Sequence, residues 1–281
     1  MFIFFVFILL VLMSFINFCL MDYIVWWSIF VICTFVFVFF VGLDNISYLI
    51  NYYVVQEICG YYFLIFDKWK LQFLILLMKS GSAPFHFWLF SVVSGLKKWF
   101  ILWFLVLQKL PYFPVLINFC NDFFFWFLVF GMFFCYFHFF FLRNCIDMIV
   151  ISSTESFMWL LIFSIFFSNE VLFFFVFYYL IMFLIIPYVF NMSMNFLSLE
   201  MIFIFFNVPM SITFFLKIFL LFGSFDYVGF YYYYLLLLLP LMSLGIGYFF
   251  FIYSMINYNY GLKYYDYLIF FFVCINFFSI F

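Results

Sequence analysis

Apolar residues fill this chain in long blocks, parted by single charges and isolated glycines or prolines. The blocks are continuous rather than alternating, which favours helices over the strands of a barrel. Each approaches the ~20 apolar residues that carry a helix across a bilayer core. The pattern predicts about eleven spans of that length, near 2–20, 23–43, 47–66, 71–94, 98–118, 122–142, 147–167, 170–190, 200–223, 231–256 and 266–281. Connections are short, so neighbours should run antiparallel. No Pro/Gly-rich linker interrupts the series, and residues 1–281 are expected to form a single transmembrane domain.

Several spans carry helix breakers: Gly81 and Pro84 in the fourth, Pro111 and Pro114 in the fifth, Asn207 and Pro209 in the ninth. Non-helical backbone at membrane depth is tolerated only inside protein or along a wet cavity, and in transporters broken helices in corresponding halves point to an ion path. Residues 1–118 and 122–256 can be read as two five-helix repeats of opposite topology, with 266–281 an extra C-terminal helix. The fourth helix of each repeat would be broken and would carry one lysine, Lys79 or Lys217. The expected fold class is therefore all-α, a polytopic helix bundle with inverted repeats and discontinuous helices.

Composition agrees. Of 281 residues, 73% are hydrophobic and 7% charged, too few charges for a water-soluble surface. The chain has no basic patch for nucleic acid. Lys68/Lys70 and Lys97/Lys98 fall in successive connections, so they set no orientation. The seven cysteines form no Cys-x-x-Cys pair and read as small apolar residues. Met1 to Leu20 lacks a basic leader and is expected to be the first span. Phe occurs 61 times, while Ala83 is the sole alanine and Arg143 the sole arginine. A T-rich coding strand, as in many mitochondrial genomes, would produce that bias, and the base composition of the gene tests it.

Depth separates the informative charges from those that reach the headgroups. Lys79 lies nine residues past Lys70, roughly 14 Å at 1.5 Å per residue, close to mid-membrane. Lys109 is eleven residues from Lys98, and Lys217 nine before Asp226. Glu57, between Asp44 and Asp67, is also central, and Glu155 is expected to be shallower. Three central lysines cost on the order of 8–10 kcal/mol on insertion scales, so buried carboxylates or water must offset them. A lysine withdrawn from water gives up its proton more readily than an exposed one. Such groups in a row make a proton relay, and the plainer alternative is a set of structural ion pairs. His86 and His138 are the only histidines. A bis-histidine haem would need both on facing helices, and His86, just after Pro84, reads better as a polar group in a wet gap.

Met78-Lys79-Ser80-Gly81-Ser82-Ala83-Pro84-Phe85-His86-Phe87-Trp88 resembles the Lys-x-Gly-x-Ala-Pro-Phe-His-Phe-Trp signature of the NADH dehydrogenase subunit 2 family of mitochondrial respiratory complex I. Gln108-Lys109-Leu110-Pro111, Ser152-Ser153 with Trp159, and Val208-Pro209 with Phe214 and Lys217 resemble further elements of that family. The resemblance implies an antiporter-like proton-pumping subunit of the mitochondrial inner membrane, organelle-encoded, with Lys79, Lys109 and Lys217 in its relay. It implies other membrane-arm subunits as partners. FMN, iron–sulfur clusters, NADH and ubiquinone would be held by those partners and not by this chain. Two positions depart from the family. Phe30 stands where a glutamate is expected, and Ser156 where a histidine is, with Glu155 beside it. Glu57 is then the expected carboxylate for Lys79. A free-standing cation/proton antiporter and a purely structural scaffold are the alternatives.

Overall fold

The computed structural model describes residues 2–41, 46–96, 98–142, 145–166, 217–218, 221–222, 229 and 231–241. Among them the chain is helical, without strands. The first three predicted spans are α1 (Phe2–Cys19), α2 (Tyr23–Val41) and α3 (Ile46–Ile65). The fourth is divided into α4 (Trp69–Ser80) and α5 (Phe87–Val93), the fifth into α6 (Lys98–Leu107) and α7 (Tyr112–Phe119). A 3₁₀ turn at Asp122–Phe124 leads into α8 (Phe125–Phe141), and α9 (Cys145–Phe166) follows. Tyr231–Leu241 forms a further apolar helix, α10. Spans 170–190 and 266–281, most of 200–223, and Pro209 lie outside the described residues.

Phe-, Val- and Ile-rich segments have modest helix propensity. In hydrocarbon the helix prevails because it satisfies every backbone N–H and C=O within one segment. Asp122–Phe141 and Asp147–Phe166, each 20 residues with mean hydropathy 1.9 and 1.8, have the length and composition to cross a bilayer. They differ in surroundings: half of the first is buried, against 89% of the second. α9 is the central post of the described bundle, packed on α5, α6, α7 and α8. The outer surface stays apolar, with Ile24 74% and Phe39 82% exposed, as lipid or a partner helix would require.

Both breaks are built from local chemistry. Gly81, at φ +67°, ends α4 in the left-handed conformation that glycine adopts without penalty. The amides of Gly81 and Ser82 then bond back to Met78 and Leu77. Ser82 Oγ donates to Leu77 O (2.9 Å), and Trp88 Nε1 donates to Met78 O (3.0 Å) across the gap. The Ala83–Pro84 peptide is cis, and Ala83 is fully buried against α8. There Gly131 matters, because a Cβ at that position would stand 2.8 Å from the Ala83 carbonyl oxygen. The second break centres on Pro111, whose carbonyl accepts from Asn17 Nδ2 at 2.9 Å. Pro114 breaks nothing. It sits in the first turn of α7, where no intrahelical N–H is needed.

Candidate functional site

Lys79 occupies the last turn of α4 and is 1% exposed. Its Nζ lies 5.0 Å from the centroid of the Phe30 ring on α2, close enough for a cation–π contact. Gly60 of α3 leaves the space for it, since a Cβ there would sit 3.4 Å from both Lys79 Nζ and Trp27 Nε1. Gln56 Nε2 donates to the Lys79 carbonyl at 2.9 Å, and Tyr112 Oη donates to Gln56 Oε1 at 3.2 Å. α3, α4 and α7 are thus tied together beside the first break. Glu57 is half-buried on α3. It forms no ion pair with Lys79, whose side chain meets no carboxylate within salt-bridge distance among the described residues.

Lys109 lies in the second break, 2% exposed. Its Nζ donates to Ser153 O at 3.0 Å and to Ser153 Oγ at 3.4 Å, 5.3 Å from the Phe157 ring centroid. Two residues further along α9, Glu155 receives Lys217: the Lys217 Nζ donates to Glu155 Oε2. Glu155 Oε1 accepts from Trp159 Nε1 at 2.6 Å and from Tyr136 Oη at 3.2 Å. Glu155, expected from the sequence to be shallower than Glu57, is 1% exposed and stands mid-way along α9.

A cavity of about 10 Å³ lies between the two breaks, lined by Lys79 and Lys109 together with Tyr52, Gln56, Gln108 and Tyr112. That is about the room one water needs. The Tyr52 hydroxyl and Gln108 Oε1 are buried with no hydrogen-bond partner among the described residues. A water between them would satisfy both and join the neighbourhoods of the two lysines. One element, α9, holds Lys109 and Lys217, and one cavity touches Lys79 and Lys109. Mobile protons could pass along such a sequence of donors and acceptors.

Gly81, Pro84 and His86 all fall in the first break. His86 sits deep in that break. It is fully buried, stacked on Phe87 (4.7 Å) and hydrogen-bonded through Nε2 to His138 Nδ1 at 3.1 Å. The contact closes the space that a haem iron between the two rings would require. The sequence did not single out Gln56, Tyr112, Tyr136 or the His138 pairing. Gln56 and Gln108 each adjoin a charged residue within an apolar run, which is the signal that could have marked them. The partnerships join residues 19 to 56 positions apart, as for Tyr136–Glu155 and Gln56–Tyr112, and no local pattern encodes them.

No family model matches the chain. It is 41% identical over 206 residues to NADH-ubiquinone oxidoreductase chain 2 of Ascaris suum, covering 73% of this chain and 69% of that protein. It is 36% identical over 218 residues to NADH-ubiquinone oxidoreductase chain 2 of Caenorhabditis elegans, covering 75% of each.

Proposed function

Because this chain belongs to the NADH-ubiquinone oxidoreductase chain 2 family, a membrane-arm subunit of respiratory complex I, we propose that it relays protons along Lys79, Lys109 and Lys217. The observation that carries the proposal is the burial of all three lysines, 1%, 2% and 5% exposed, within an apolar bundle. A buried unpaired lysine is costly in hydrocarbon and is by default a functional group. Lys79 and Lys109 have no carboxylate clamped on them among the described residues, so a proton lost from either leaves no stranded anion in contact with it. Lys217 is different. Glu155 holds it charged until a proton arriving on the carboxylate frees it.

In this proposal the redox chemistry belongs to partner subunits that bind NADH, FMN, iron–sulfur clusters and ubiquinone. Their turnover changes the field around the relay, and this chain moves protons in response. The same proposal places the chain in the mitochondrial inner membrane as a single multi-pass domain of about eleven spans. Both broken spans of the described residues fall in the first of the proposed inverted repeats, 1–118, and the reading expects a counterpart break at Pro209 in the second, 122–256. Assembly and pumping are tested together. The chain should migrate with a very large respiratory assembly on a native gel, and Lys79→Met should lower the protons moved per electron in sealed vesicles. Migration as a small free species would support a free-standing antiporter. Unchanged stoichiometry would leave only a scaffold.

A further inference from the structure

We infer that His86 and His138 form a proton port, a lateral branch by which protons enter or leave the lysine relay at one membrane face. The inference rests on the relay reading and adds to it a route to water. His138 lies in the last turn of α8 and is half-buried. The α8–α9 connection that follows carries Arg143 and Asn144 in its sequence, so this end of the helix meets the membrane face. His86 is fully buried in the break that follows Lys79. The Nε2–Nδ1 distance of 3.1 Å links the two rings into one path from the rim of the bundle to its interior. Phe87 and Phe90 flank His138 at 5.2 and 5.0 Å and close the pair off laterally.

One atom points beyond the pair. His86 Nδ1 is buried beside the Pro84 backbone, without a well-formed hydrogen bond among the described residues. An imidazole has two working nitrogens, and a buried one without a partner carries a desolvation cost. A polar group in the break, water being the smallest, must complete it when a proton passes.

The proton balance is simple. In the starting tautomer His138 Nδ1–H donates to His86 Nε2, and His86 carries its own proton on Nδ1. A proton from the membrane face binds His138 Nε2 and makes an imidazolium. The Nδ1 proton crosses to His86 Nε2, which returns His138 to neutrality and charges His86. His86 then releases its Nδ1 proton inward. One proton has entered and one has left, no electrons have moved, and the hydrogen bond between the rings has reversed. Both rings must exchange tautomers before the next proton follows, and the reverse sequence carries a proton outward.

The test uses the assembled complex in sealed vesicles, with NADH-driven proton translocation as readout. His138→Gln keeps a hydrogen-bonding group beside His86 but cannot pass a proton. His138→Ala opens a gap that added imidazole can fill. The port predicts about 100-fold slower proton transfer through this branch, the lower end of what one positioned acid–base group contributes, hence fewer protons per electron in both variants. Imidazole should restore His138→Ala and leave His138→Gln unchanged. Native pumping in His138→Gln would overturn the port, and so would a loss in His138→Ala that imidazole does not reverse. Lys109→Met run in parallel separates the two proposals. If it loses pumping while His138→Gln does not, the port alone fails. If neither loses pumping, the relay fails with it.

Discussion

The Phe30 ring lies 5.0 Å from the ammonium of Lys79, at the position where the family resemblance leads one to expect a glutamate. Phe30 is fully buried and also packs on Phe63 and Tyr112. An aromatic face has taken a place where an ion-pair partner would stand. It supplies weak electrostatic stabilisation and fills the volume.

That substitution should be separable into its two parts. Phe30→Ala leaves a cavity and is expected to cost about 3–5 kcal/mol. Phe30→Glu should be tolerated better, since it can pair with Lys79. Phe30→Glu combined with Lys79→Met should be the least stable of the three, because it strands a buried carboxylate. Thermal denaturation of the assembled complex checks the order. If Phe30→Glu is equally damaging with and without Lys79, the side chains do not meet.

Glu155 and Lys217 should behave as a unit. Lys217→Met removes the cation from a buried carboxylate that keeps its bonds from Trp159 and Tyr136, at a cost of about 3–5 kcal/mol. Glu155→Gln with Lys217→Met should recover much of that loss. A double-mutant cycle on assembly and melting temperature measures the coupling, and simple additivity would argue against the pair.

Gly131 is expected to accept no side chain. A Cβ there meets backbone, the Ala83 carbonyl at 2.8 Å, and not the yielding tip of a side chain. Gly131→Ala should therefore lower stability by about 1–3 kcal/mol and displace the break that follows Lys79. Proteolysis of the assembled complex near residues 81–86 reads that displacement, and unaltered cleavage with unaltered melting would refute the close approach.

Burial of Lys79, Lys109 and Lys217 was legible because a charge inside an apolar run has few places to go. The first break was legible in Gly81 and Pro84, since both residues change the backbone. Pro114 misled because proline is harmless in a first turn, and that turn's position depended on where Pro111 ended the break. What stayed hidden was pairing. When nearly every residue is apolar, no stripe shows which helix face turns inward, so the expected pairing of Glu57 with Lys79 had no more local support than a pairing of Glu155 with Lys217. The structure puts only the second pair in contact. His86 and His138, 52 residues apart, meet for the same reason unseen.

Lys109 bears most directly on the central claim, because it faces α9 on one side and the cavity shared with Lys79 on the other. The measurement is the number of protons translocated per electron by sealed vesicles carrying Lys109→Met in an assembled complex. A relay through the buried lysines predicts a clear fall in that ratio, with the complex still migrating at full size. An unchanged ratio in a fully assembled complex would contradict it.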